Sequence, residues 1–172
     1  MWSGAQAADL GPVYIGSGPG TTALFSHKIG AAPPALVKQP FDQYSFLDAD
    51  PWGALYGVDG NTLYRLDPTT GLPLSAATLT CEGLPISTCY GFTFALDGTL
   101  FVHAATAEDG IHWLYEGDAD TGVMTYIGQM AAAEKWTGTL YGIEYAGGVL
   151  YAGGSNGLYS LSPTTAWLTY KG

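Results

Sequence analysis

The sequence predicts an all-β fold of about four blade-like, four-stranded antiparallel meanders, the first of them incomplete. Three observations carry this expectation. A segment recurs roughly every 45 residues, 12 Tyr and 25 Gly stand among 172 residues, and no stretch shows amphipathic helical periodicity of useful length. Tyr favours strands and Gly marks the turns between them.

The repeat is read from one short motif. Leu63-Tyr64-Arg65-Leu66-Asp67-Pro68-Thr69-Thr70-Gly71 aligns with Leu114-Tyr115-Glu116-Gly117-Asp118-Ala119-Asp120-Thr121-Gly122 and with Leu158-Tyr159-Ser160-Leu161-Ser162-Pro163-Thr164-Thr165-Ala166. Each is Leu-Tyr, two residues, a small polar turn with Thr, and a small closing residue. A weaker copy begins at Leu24-Phe25-Ser26. An aromatic-bearing strand precedes every copy, with anchors Tyr14, Tyr56, Phe101 and Tyr151 spaced 42, 45 and 50 residues apart. That period lies in the range of propeller blades.

Within a copy the chain predicts four strands. In the clearest one they fall at 91–96, 99–103, 111–115 and 123–127, with the hairpin signal Asp97-Gly98 after the first. The following copy repeats this around the turn Gly147-Gly148, and the preceding one turns at Asp50-Pro51-Trp52-Gly53. Residues 130–135 suit one helical turn in a loop. A lone meander cannot bury both its faces, and stacking blades about an axis covers each with its neighbour. The expected architecture is therefore a single β-propeller-like domain over 1–172, with repeats at approximately 1–40, 41–89, 90–139 and 140–172. A closed ring, a half ring completed by a second chain, and a piece of a larger propeller all fit this pattern.

The turn motif resembles the Leu-Tyr-x-Leu-Asp-x-x-Thr-Gly signature of quinoprotein-like and related propeller repeats. Residues 63–71 match it best, 114–122 in part and 158–166 less. The Trp that often follows in quinoprotein repeats is absent after Gly71. The resemblance implies a propeller blade and implies nothing about quinone binding.

Composition narrows the partners. The formal charge is −10, from 15 acids against five basic residues, Lys28, Lys38, Arg65, Lys135 and Lys171, scattered along the chain. No basic patch can be built from them, so phosphate-driven nucleic-acid binding and attraction to anionic membranes are disfavoured. No apolar run approaches the roughly 18 residues of a membrane helix. The N-terminus does not read as an intact signal peptide, although 5–9 resembles the cleavage end of one. Cys81 and Cys89 flank a short loop, and the even count predicts a disulfide contributing roughly 2–3 kcal/mol. With the low charge density, that bridge points to an extracellular, cell-surface or virion setting.

Candidate chemistry is sparse. Gly153-Gly154-Ser155-Asn156-Gly157 fits the spacing of a nucleophile elbow, but it lies between two strands of one blade and reads as a hairpin. Gly16, Gly18 and Gly20 do not precede a helix, so they are not a phosphate cradle. Glu116, Asp118 and Asp120 lack the spacing of a calcium loop and read as an acidic turn. Asp48 and Asp50 read the same way. His103 and His112 flank the longest loop of a blade and come together if the strands pair across it. A zinc site would need a third ligand, and exposed hairpin histidines are expected instead.

Trp52, Trp136 and Trp113 are the candidate ligand-binding residues, because loop aromatics beside acids and amides suit sugar stacking. Trp2 and Trp167 are expected to cap the domain or join subunits. The sequence thus predicts a non-enzymatic structural or protein-interaction module, a subunit of an extracellular or virion assembly. A carbohydrate-binding propeller is the alternative. No catalytic residue, metal site or cofactor is expected. The partners expected are protein, as copies of the chain itself or an assembly, and glycan, with no nucleic acid and no membrane insertion.

Overall fold

The computed structural model describes residues 13–16, 24–27, 35–38, 44–105, 111–132 and 139–172. Among them there is no helix, and four sheets follow one another along the chain. The first holds β1 (Val13–Gly16), β2 (Leu24–His27) and β3 (Ala35–Lys38). The second is β4 (Phe46–Ala49), β5 (Leu55–Asp59), β6 (Thr62–Leu66) and β7 (Pro73–Thr78), a plain antiparallel meander. In the third, β10 (Thr88–Phe94), β11 (Leu100–Ala105), β12 (His112–Gly117) and β13 (Val123–Gln129) form the meander. In the fourth, β15 (Leu140–Ala146), β16 (Val149–Gly154), β17 (Gly157–Leu161) and β18 (Trp167–Tyr170) do so.

The connections between blades follow one plan that the sequence did not disclose. Leaving β7, the chain runs parallel to the outer strand of the next blade as β8 (Thr80–Cys81), turns back as β9 (Leu84–Pro85), and only then enters β10. Leaving β13, it does the same as β14 (Ala131–Ala132) beside β18. The helical turn expected at 130–135 is therefore replaced by strand at Ala131–Ala132, and 133–135 lie outside the described residues. The same bond fastens both straps: Thr80 N donates to Gly122 O, and Ala131 N to Ala166 O.

Those two acceptors sit in the repeated turn. Asp67 Oδ1 accepts from Thr69 N and Thr70 N, Asp118 Oδ1 from Thr121 N, and Ser162 Oγ from Thr164 N and Thr165 N. The fifth position of each turn donates back to the first, from Gly71, Gly122 and Ala166. All three adopt positive φ, of 65°, 70° and 56°. The motif is thus a side-chain-capped turn whose last residue must enter the left-handed region.

The core lies between blades, as stacking requires. Tyr56, Val58 and Leu63 of the second sheet pack on Phe92, Phe94, Leu100, Val102 and Met124 of the third. Phe101, Leu114 and Met130 pack in turn on Leu140, Ile143, Leu150, Tyr159, Leu161 and Leu168 of the fourth. The first strand of each meander is the inner one: β4 and β15 each lie beside β10.

The disulfide expected between Cys81 and Cys89 is not formed; both are free thiols. Cys81 is on β8 and Cys89 on β10, at positions four strand steps apart in the order β10-β11-β12-β13-β8-β9. At about 4.8 Å per step that far exceeds the Cα separation of about 7 Å a disulfide tolerates. The Cys89 thiol instead donates to Gly91 O at 3.4 Å, and burial pushes its pKa up to about 12.

Candidate functional site on the inner strands

Three register-equivalent residues form an axial row on the inner strands, on the face that each blade turns to the next. Asp48 pairs with Tyr56, Thr93 with Phe101 and Glu144 with Tyr151, so each stands opposite an aromatic anchor on its own blade's second strand. A hydrogen bond links the second blade to the third and the third to the fourth. Asp48 Oδ2 accepts from Phe94 N at 3.2 Å, and Thr93 Oγ1 accepts from Tyr145 N at 3.1 Å. Phe94 and Tyr145 are themselves equivalent, each following the axial residue of its strand. Asp48 Oδ1 is further held by Ala49 N at 2.7 Å.

The two carboxyls of this row differ in their surroundings. Burial raises Asp48 above the ordinary carboxylate value, and the bonds from Ala49, Thr93 and Phe94 work against that rise. Glu144 has an edge open to solvent, but the strands around it desolvate its carboxyl, and the Asp48 charge adds to the upward shift. The Asp48 charge acts on Glu144, whereas the charge that adds to the rise of Asp48 is that of Asp50. Asp48 thus departs from the solvated acidic turn expected of it, whereas Asp50 is that turn, accepting from Trp52 N and Ala54 N.

A groove of about 820 Å³ opens between the second and third sheets. Its lining includes Asp50, Asp97, Asp118 and Asp120, with Arg65 as the cation, beside Trp52, Tyr56 and Phe94. The surplus of carboxylates favours an amine-bearing or otherwise cationic ligand. The groove meets the axial row at Phe94, whose N–H binds Asp48.

The three candidate tryptophans do not converge. Trp52 is 76 % exposed at the tip of the β4–β5 turn and lines the groove. Trp113 lies on β12 near the opposite end of its sheet, edge-on to Tyr126 at 5.6 Å. Trp136 and Trp2 lie outside the described residues, as do Gly18 and Gly20. Gly154 pairs with Gly157 across a two-residue loop holding Ser155 and Asn156, so the nucleophile-elbow spacing is a hairpin.

The histidines are brought together but are not exposed. His103 Nε2 and His112 Nδ1 are 2.7 Å apart, with His103 fully buried and His112 buried. Burial, reinforced by His112, pushes His103 down to about 3, and burial lowers His112 as well. Both rings are neutral at pH 7. Among the described residues no group of three or more His, Cys, Asp or Glu is placed to hold a metal ion.

No protein-family model matches the chain, and no curated protein matches it. Among three similar solved structures, one supports the fold. The glutaminyl cyclase of Myxococcus xanthus superposes with a TM-score of 0.61 at 16 % identity, over 89 % of this chain and 68 % of that one. A protein provisionally assigned as a gluconolactonase gives 0.48 at 17 % identity, over 83 % and 57 %. The extracellular domain of a protein from B. thetaiotaomicron, provisionally assigned as a hybrid two-component system, gives 0.46 at 17 %, over 96 % and 26 %. The fold is of the β-propeller type. The resemblance to quinoprotein-like repeats reaches that fold and identifies no specific family.

The expectation of a non-enzymatic module, with a lectin-like alternative, is corrected here. The structure that superposes best among these three is an enzyme, and the axial row supplies ionisable groups that the sequence reading passed over. The fold similarity carries no activity by itself. The virion, extracellular and carbohydrate-binding expectations find no support in it.

Proposed function

We propose that this propeller is an enzyme in which Glu144 performs general acid–base catalysis, with Asp48 as the neighbouring carboxylate that keeps its proton affinity high. The observation that carries the reading is the placement of Glu144 on its inner strand, solvent-accessible yet desolvated by its strands, with the Asp48 charge adding to the rise. A carboxyl raised in this way holds a proton closer to neutrality and passes it on more readily. Asp48 is fixed by Ala49 N and Phe94 N, so it orients rather than transfers.

The similarity in fold to a glutaminyl cyclase makes cyclisation of an amino-terminal glutaminyl residue the first reaction to test, and the acidic groove, whose lining does not include Glu144, suits an amine-bearing ligand. There the free amine attacks the side-chain carboxamide carbon, a C–N bond forms, and the bond to the amide nitrogen breaks. The proton lost by the attacking amine passes through the Glu144 carboxyl to the departing ammonia. Ammonia release from a glutaminyl peptide reads the reaction directly. Glu144→Gln is expected to lower kcat/KM by about 10²–10⁴-fold, and Asp48→Asn to shift the acid limb of the pH profile downward. A Glu144→Gln variant at full activity contradicts the assignment of the proton-transfer group, and a wild-type chain that releases no ammonia rejects this substrate.

A further inference from the structure

The fourth sheet has one face packed and one face open. Towards the third sheet it buries Leu140, Ile143, Leu150, Leu161 and Leu168. Its other face presents Val149 at 38 %, Leu158 at 45 % and Trp167 at 45 % exposure, with Tyr151 and Glu144 among them. Repeat register shows what such a face is for. Tyr56 and Phe101, the equivalents of Tyr151, are buried against the following blade, and so are Leu63 and Leu114, the equivalents of Leu158. The polar contact repeats too: Asp48 and Thr93, the equivalents of Glu144, each accept a backbone N–H from the next inner strand. All three elements of a blade-to-blade joint are therefore present on the open face.

We infer that this face docks the first blade of a second copy of the chain, head to tail. The occupant is a β-sheet because both equivalent faces take one, and because the Glu144 position matches a main-chain donor rather than a side chain. A second copy is the occupant because, among the described residues, the chain's first sheet lies beside β4 while Val149, Leu158 and Trp167 of the fourth keep their exposure. Such joints are heterologous and build rings or open chains. Leu158 and Trp167 supply the apolar area, and Tyr151 the central aromatic contact. The joint would also enclose Glu144, so the proposed reaction belongs to the dissociated chain; the joint is argued from the face alone and does not depend on that reaction.

Sedimentation velocity of the full chain across micromolar concentrations tests the inference, with carbodiimide labelling of Glu144 read by mass spectrometry alongside. The wild type is expected to associate as concentration rises, with Glu144 labelling falling in step. Leu158→Asp is expected to weaken association at least about 100-fold, while Leu96→Asp, at an exposed apolar position outside this face, leaves it unchanged. Leu158 is exposed, so its substitution does not threaten the fold. A wild type that stays monomeric overturns the inference, as does a Leu158→Asp chain that assembles normally. A monomer whose Glu144 is protected assigns the face to the chain's own first sheet and overturns the second copy as occupant.

Discussion

The third and fourth sheets carry the same repeat but live in different surroundings. In the third, β11 is buried along its whole length, because blades press on it from both sides. In the fourth, β16 alternates between buried residues facing the third sheet and exposed or half-exposed ones. Leu114 is fully buried, and its equivalent Leu158 is 45 % exposed. A blade's sequence therefore fixes its strands and turns, while its place in the stack decides how much stability each position contributes.

The largest predicted contrast is at that pair. Leu114→Ala should lower unfolding stability by about 3 kcal/mol, the range for a buried leucine. Leu158→Ala, measured in dilute solution, should cost no more than about 0.5 kcal/mol. Denaturant unfolding monitored by circular dichroism checks both. Equal losses would mean that the fourth sheet is covered on both faces.

The turns sharpen the comparison. A Cβ at Gly122 would clash with Thr78 O, on a residue with φ of 70°. One at Gly147 would meet nothing within 4 Å, at φ of 58°. Gly122→Ala should therefore cost about 3 kcal/mol, joining left-handed strain to a backbone clash. Gly147→Ala should cost about 1 kcal/mol, from the strain alone.

The histidine pair belongs to the third sheet, where His103 takes the position that Val58 fills one blade earlier and Gly153 one blade later. A histidine whose folded value is depressed is neutral in the native state and protonates first in the unfolded chain. Stability is thus complete above the ordinary value of about 6.5 and is lost as pH falls from there towards about 3. The slope for one proton is about 1.4 kcal/mol per pH unit. His103→Val should remove the larger part of it, and an unchanged slope in that variant would place the titration elsewhere.

The smallest effect is at the capped turns. Asp118→Ala should cost about 1 kcal/mol by releasing Thr121 N and the Thr121 hydroxyl. The Asp118 carboxyl lies below its ordinary value because of those bonds. Its contribution is accordingly present above that ordinary value and fades as pH falls through the lowered one. The wild-type and variant chains should converge in acid.

The parts of the fold legible in the sequence were those written in local chemistry. The Leu-Tyr motif and its Asp or Ser cap locate the turn between the third and fourth strands of a blade, and Asp97-Gly98 and Gly147-Gly148 locate the first hairpin. The straps at Thr80–Cys81 and Ala131–Ala132 were not legible, because two residues paired with a distant strand leave no periodicity. That omission also misplaced the cysteines, whose short separation in sequence conceals four strand steps in the sheet. The axial row was hidden for another reason: Asp, Thr and Glu share no motif. Its signal is positional. Asp48 and Thr93 stand eight residues before their aromatic anchors and Glu144 seven, because the hairpin after Glu144 closes over the two residues Gly147-Gly148 and the other two close over three.

The Asp48 charge adds to the rise of the Glu144 carboxyl, and carboxyl NMR titration of both groups measures that effect most directly. Glu144 is predicted to titrate above an ordinary glutamate and to move down in an Asp48→Asn chain, because removing the Asp48 charge removes one cause of its upward shift. A Glu144 that titrates at its ordinary value, and does not respond to Asp48→Asn, would contradict the account.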